Sequence, residues 1–150
     1  MLRLSKKADY ALLAIRHLAA NSDRGTVSAR EVAEAYDIPM ELLAKVLQRL
    51  VRARLLGSHQ GVRGGYALAR AAGSISVADV IQAVDGPLTV TACSDLDHSC
   101  EQYSKCNIRD PLWRIKDRIV AALAATSVAE LASDLHVRAS GSVPMAVLRK

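Results

Sequence analysis

The chain has 150 residues, enough for one domain with a modest core. Half of them are apolar, only 3% are aromatic and none is Phe, so Leu, Ala, Val and Ile must fill that core, which favours helices. The net charge of +5 is uneven: residues 1–70 carry twelve Lys and Arg against six Asp and Glu, and residues 71–150 carry eight against nine, so a polyanion partner is expected for the first half.

No apolar run approaches the ~18 residues of a membrane span, and Met1 to Lys7 lacks the apolar core of a secretory signal. The expected location is the cytoplasm, where thiols stay reduced. Ser5 is a good N-cap for a first helix reaching about Ala20, with Leu12, Ile15, Leu18 and Ala19 as its apolar stripe. Asp9 suits the dipole at the start of that helix, and His17 reads as a surface or half-buried ring. Ser28-Ala29-Arg30-Glu31 has capping-box spacing and opens a short second helix with Val32, Ala33 and Tyr36 inward. Asp37-Ile38-Pro39 breaks it, and a third helix follows to about Ala53. There Leu43, Val46, Leu47, Leu50 and Val51 form the inward stripe, while Met40, Glu41, Ala44, Lys45, Gln48, Arg49 and Arg52 lie on the other face. Two short helices with a tight turn, the second with a basic and amide face, read as helix-turn-helix.

Leu55 to Ser58 and Tyr66 to Leu68 predict two short strands around His59-Gln60-Gly61-Val62-Arg63-Gly64-Gly65. Three glycines beside a basic side chain suit a hairpin tip that approaches another chain closely. The resulting fold class is mainly α: a winged helix-turn-helix whose third helix enters the major groove of double-stranded DNA and whose wing reaches phosphate or the minor groove. Ser28, Met40, Glu41, Ala44, Lys45, Gln48, Arg49, His59 and Arg63 are the candidate DNA contacts. Ser76 caps a fourth helix with Val77, Val80, Ile81 and Val84 on one face, ended by Gly86-Pro87. A fifth begins near Pro111, where Leu112, Ile115, Ile119 and Leu123 repeat every three to four residues. Such a stripe suits packing against its twin in a homodimer. Ser127-Val128-Ala129-Glu130 is a second capping-box sequence. The expected organisation is a DNA-binding domain over 1–88, a cysteine loop over 89–110, a dimerisation helix with a short last helix over 111–135, and a loose tail over 136–150.

All three cysteines of the chain, Cys93, Cys100 and Cys106, fall within fourteen residues. Three thiols cannot all pair within one chain. With no close Cys-x-x-Cys pair, the spacing fits a zinc knuckle poorly. Thiolates so spaced suit an iron–sulfur cluster, with zinc and redox-active thiols as the alternatives, and the DNA-binding surroundings tip the balance to a cluster, which needs a fourth ligand from elsewhere. Candidates are Asp9, His17, His98, Glu101 and Arg109, of which Arg109 is poor because its guanidinium stays protonated. No nucleophile–base set or P-loop points to an enzyme.

Leu4-Ser5-Lys6-Lys7-Ala8-Asp9-Tyr10-Ala11-Leu12, Arg63-Gly64-Gly65-Tyr66, Val84-Asp85-Gly86-Pro87 and the three-cysteine loop fall in the order and at the distances of the Rrf-two family of winged-helix regulators, which includes IscR and NsrR. The chain resembles that family over about residues 1–135. Cys106-Asn107-Ile108-Arg109 with Trp113-Arg114-Ile115 looks closest to the branch that regulates the SUF iron–sulfur assembly genes. The resemblance implies a homodimer on a pseudo-palindromic operator, with one 2Fe–2S or 4Fe–4S cluster per protomer held by Cys93, Cys100 and Cys106. It also implies repression, or occasionally activation, according to cluster state, with cluster-assembly genes as the expected targets. The IscR branch uses a His three residues after its last cysteine, where this chain has Arg109. The NsrR branch uses an Asp early in the first helix, where this chain has Asp9, which is therefore the metal ligand the resemblance implies. A nitric-oxide or redox sensor on the same cluster is the nearest rival, and a cluster carrier or zinc scaffold the rival from another class. A carrier has no use for the basic, glycine-rich wing.

Overall fold

The computed structural model describes residues 3–89 and 100–133. Six helices and one hairpin follow in the order α1 (Lys6–Ala20), α2 (Ala29–Tyr36), α3 (Met40–Arg52), β1 (Leu56–His59), β2 (Gly65–Leu68), α4 (Val77–Asp85), α5 (Arg109–Ala125) and α6 (Val128–Ser133). Single 3-10 turns lie at Ser22–Arg24 and Ala72–Ser74. The expected loose tail over 136–150 lies outside the described residues, as do Cys93 and His98.

Helix starts follow local side-chain chemistry. Ser5 Oγ accepts from Ala8 N–H at 3.1 Å. Ser76 and Asp79 form a complete capping box, and so do Ser127 and Glu130. The box at α2 closes on one side only: Ser28 Oγ accepts from Glu31 N–H at 3.1 Å. The Glu31 carboxylate instead meets Arg24 at 2.8 Å and His17 at 3.4 Å. A salt bridge to a neighbouring turn has displaced the reciprocal cap.

The core is aliphatic throughout. Ala8, Ala11, Ala14, Ile15 and Leu18 of α1 are buried, whereas Leu12 and Ala19 are only half-buried, so the buried line runs along the alanines. Small residues let α3 and α4 approach the α1 backbone closely. Leu43, Val46, Leu47 and Leu50 of α3 and Val77, Val80, Ile81 and Val84 of α4 complete it.

The hairpin is antiparallel, with Leu56 opposite Leu68 and His59 opposite Gly65. A third short partner joins it, since Val27 and Tyr66 exchange both backbone hydrogen bonds at 2.9 and 2.8 Å. The wing is thereby tied to the residue just before the cap of α2.

α6 belongs with the first domain rather than with α5. Val128 is fully buried in the shared core, Val128 N–H donates to Ile75 at 2.8 Å, and Arg16 Nε donates to the Leu131 carbonyl at 2.9 Å. α5 leans on α4 yet has no buried residue among those described. Leu112, Ile119 and Leu123 are half-buried, and Ile115 is 46% exposed. No described helix is long and apolar enough to cross a membrane.

Candidate nucleic-acid interface and cysteine segment

α2 and α3 meet through Asp37, in the left-handed conformation at φ 51°, and Ile38, which is buried. This turn sets α3 across the domain with its inward stripe on the core. Glu41, Lys45, Gln48 and Arg52, spaced four, three and four residues apart, form the middle of the outward face, and all are exposed. Met40 is 47% exposed at one edge, and Ala44 is half-buried. Ser28 spends its hydroxyl oxygen on capping α2. A groove of about 400 Å³ runs between α1 and α3, lined by Tyr10, Leu42 and Val46 and by the cations Lys6, Lys7, Lys45 and Arg49.

Arg49, a candidate DNA contact, also has a partner within the fold. It lies at the margin of the outward face, and its guanidinium donates to the Val84 carbonyl in the last turn of α4. A helix of this length leaves that carbonyl without an intrahelical donor, and a cation at a helix C-terminus also suits the dipole.

At the wing tip, His59, Gln60, Val62 and Arg63 are all exposed, Val62 fully. The Arg63 carbonyl accepts from Thr26 Oγ1 at 2.7 Å, which pins the tip to the segment before α2. Gly64 and Gly65 serve this internal packing. A Cβ on Gly64 would lie 2.6 Å from the His59 carbonyl oxygen, and one on Gly65 would lie 2.5 Å from that of Val27. Of the three tip glycines, Gly61, at φ 116°, is the one with open space around it. Thr26 and Val27 escaped sequence reasoning because they follow a polar turn and make their contacts some forty residues away.

His17 is an internal strut. Its Nδ1 lies 3.1 Å from the Tyr36 hydroxyl, its Nε2 faces Glu31, and the His17 and Tyr36 rings meet edge to face. The Arg24 hydrogen bond, and then the one from His17, hold the Glu31 carboxyl below its ordinary pKa.

Cys100 and Cys106 are free, half-buried thiols on a run of turns leading into α5. Tyr103 N–H donates to the Cys100 carbonyl and Lys105 N–H to that of Gln102, both at 3.0 Å. Glu101 is exposed on the same run. Arg109 has a different partner set from a ligand. Its guanidinium lies 4.6 Å from the centre of the Tyr103 ring and 5.6 Å from that of Trp113. Nε meets Asp110 at 3.1 Å. The Asp110 hydrogen bond, with smaller contributions from Tyr103 and Cys106, raises the guanidinium's pKa above its usual value. The i, i+4 spacing of Arg109 and Trp113 was the available sequence signal for this clamp. Asp9 is half-exposed on α1, beside concavities lined by Leu4, Ser5, Lys6 and Arg16. Among the described residues no three His, Cys, Asp or Glu side chains converge, so Asp9 and the two thiols are not brought together there.

The sequence matches the Rrf2 (Rrf-two) profile, described as iron-dependent transcriptional regulator, over residues 4–134. The HTH-type transcriptional regulators IscR of Enterobacter sp. strain 638 and of Citrobacter koseri are each 34% identical over 137 residues, covering 91% of this chain and 83% of theirs. Among solved structures, the global cysteine regulator CymR of B. subtilis superposes with a TM-score of 0.75 at 27% identity, over 89% of this chain and 98% of its own. IscR of T. potens superposes with a TM-score of 0.73 at 25% identity, over 95% and 94%.

Proposed function

The chain belongs to the Rrf2 family of winged-helix transcriptional regulators and is a DNA-binding regulator rather than an enzyme; from that premise we propose that it is an iron–sulfur-dependent repressor of cluster-assembly genes, acting as a homodimer. The observation that carries the reading is a continuous path through the fold. α3 packs against α4, with Arg49 at the margin of its outward face reaching the last turn of α4, and α4 precedes the cysteine segment in the chain.

Glu41, Lys45, Gln48 and Arg52 are assigned to base edges or helix registration in the major groove, with Ser28, Met40 and Ala44 at its rim. His59 and Arg63 are assigned to the wing contact. Opposed α5 helices, joined through Leu112, Ile115, Ile119 and Leu123, would set two recognition helices about one helical turn apart, ~34 Å, on a pseudo-palindromic operator.

The donor set fits a cluster. Cys100 and Cys106 are unpaired, half-buried and on one run of turns, and thiolate sulfur is the ligand that clusters prefer. Cys93, Cys100 and Cys106 would hold it, with Asp9 of the partner subunit as the fourth ligand, since among the described residues Asp9, Cys100 and Cys106 of one chain do not converge. When bound, a cluster supplies an iron- and redox-responsive cross-link across the segment. The chain's part is to hold the thiolates and to pass the segment's order on to α4. A full cluster supply would then load the sensor and shut down assembly.

The test is purification without oxygen, with iron and acid-labile sulfide assays. A brown protein with both, losing its visible absorbance in each of Cys93→Ala, Cys100→Ala and Cys106→Ala while keeping its helical circular dichroism, is expected. A colourless protein carrying stoichiometric zinc overturns the reading.

A further inference from the structure

We propose that Arg49 is a positioning residue, which fixes the recognition helix to the end of α4 and makes DNA affinity follow the cysteine segment. The inference deepens the cluster-dependent reading above and rests on it. The guanidinium of Arg49 donates to the Val84 carbonyl, one residue before α4 ends at Asp85. At that same turn Ser5, the N-cap of α1, donates from Oγ to Asp85 Oδ2 at 2.5 Å. The last turn of α4 is therefore a junction where α1 and α3 are both tied by side chains. Two residues on, Gly86-Pro87 ends the helix, and the chain passes through Leu88 and Thr89 toward Cys93.

A side chain at the margin of α3 suits this role better than base readout. Glu41, Lys45, Gln48 and Arg52 already occupy the middle of the outward face. Turning Arg49 to DNA would leave the Val84 carbonyl without a donor, and an unpaired backbone acceptor at a buried residue is costly. A pull on the segment after Gly86 moves the Val84 carbonyl, and through Arg49 it moves α3. Ordering of the thiols reaches the operator by that route.

The experiment compares wild type, Arg49→Gln and Arg49→Lys. Gln is too short to hold the carbonyl, whereas Lys keeps a donor of similar reach. The first readout, independent of any cluster, is amide exchange near Gly86 and Leu88 in cluster-free protein. Exchange should rise several-fold in Arg49→Gln and stay near wild type in Arg49→Lys. Unchanged exchange in Arg49→Gln overturns the latch. The second readout is the ratio of operator affinities with and without cluster, measured at one salt concentration. A wild-type ratio of about 5–150-fold should fall toward one in Arg49→Gln, return in Arg49→Lys, and leave base preference unchanged at every operator position. A relaxed preference at one position, with the ratio intact, makes Arg49 a base reader and overturns the proposal. A wild-type ratio of one is the separate signature that the cluster-dependent reading itself has failed.

Discussion

Replacing Gly65 by Ala tests how the wing is held. A Cβ at this position lies 2.5 Å from the carbonyl oxygen of Val27 and 2.7 Å from its carbon, so backbone must move. The movement opens the Val27–Tyr66 pair, whose two hydrogen bonds measure 2.9 and 2.8 Å. At about 0.5–1.5 kcal/mol net for each bond, the loss is ~1–3 kcal/mol. Displacement of Val27, only 1% exposed, pushes it toward the upper part of that range. With a urea slope of about 1–3 kcal/mol per M, the unfolding midpoint should fall by roughly 1 M. Gly73→Ala is the control: no atom lies within 4 Å of its Cβ, so a neutral change or a gain of ~0.4–1 kcal/mol is expected. Because Val27 precedes the cap of α2, operator affinity should fall with the midpoint in Gly65→Ala. A Gly65→Ala midpoint equal to wild type, or an equal loss in Gly73→Ala, would refute the steric reasoning.

Glu31 is held below its ordinary pKa by Arg24 and then His17, so its contribution to stability is present above the usual carboxylate range, near pH ~4.3, and is lost as pH falls through the lower folded value. The stability gap between wild type and Glu31→Gln, followed by urea unfolding, should therefore close on acidification; a gap independent of pH contradicts the pairing. Lys45→Ala should reduce the salt slope of DNA binding by about 1, and an unchanged slope removes Lys45 from the phosphates. Ile115→Lys should convert the proposed dimer to monomer in sedimentation while the helical signal survives, because Ile115 is 46% exposed in the single chain; a wild-type protein that sediments as a monomer refutes the dimer, and a dimer that persists in Ile115→Lys moves the interface off α5.

The helices were legible because their signals are local. Ser5, Ser76 and Ser127 sit three residues from the amides they cap, and the stripes on α3 and α4 repeat within two turns. Glu31 had the same spacing, yet its carboxylate went to Arg24 and His17, partners that only the packing of α1 against α2 supplies. The wing was legible as a hairpin from its glycines, but not their purpose, because Val27 meets Tyr66 from the far side of α2 and α3 in the chain. On the candidate site, the period of α3 marks its outward face in the sequence and puts Arg49 on it. Whether a marginal arginine points outward or onto a neighbouring carbonyl depends on the end of α4, thirty-five residues away. Arg109 follows the same rule: its charge argues against ligation and its spacing to Trp113 is local, but its stacking on Tyr103 requires the turn before α5 to fold back.

The proposed sensor role requires that DNA binding depend on a cluster held by the three cysteines. It is tested most directly by titrating the protein's own upstream DNA with oxygen-free, cluster-loaded protein and with the same preparation after cluster removal, at one salt concentration. The account predicts affinities differing by about 5–150-fold, with Cys100→Ala and Cys106→Ala behaving as the cluster-free form. Equal affinities for loaded and cluster-free protein would contradict it.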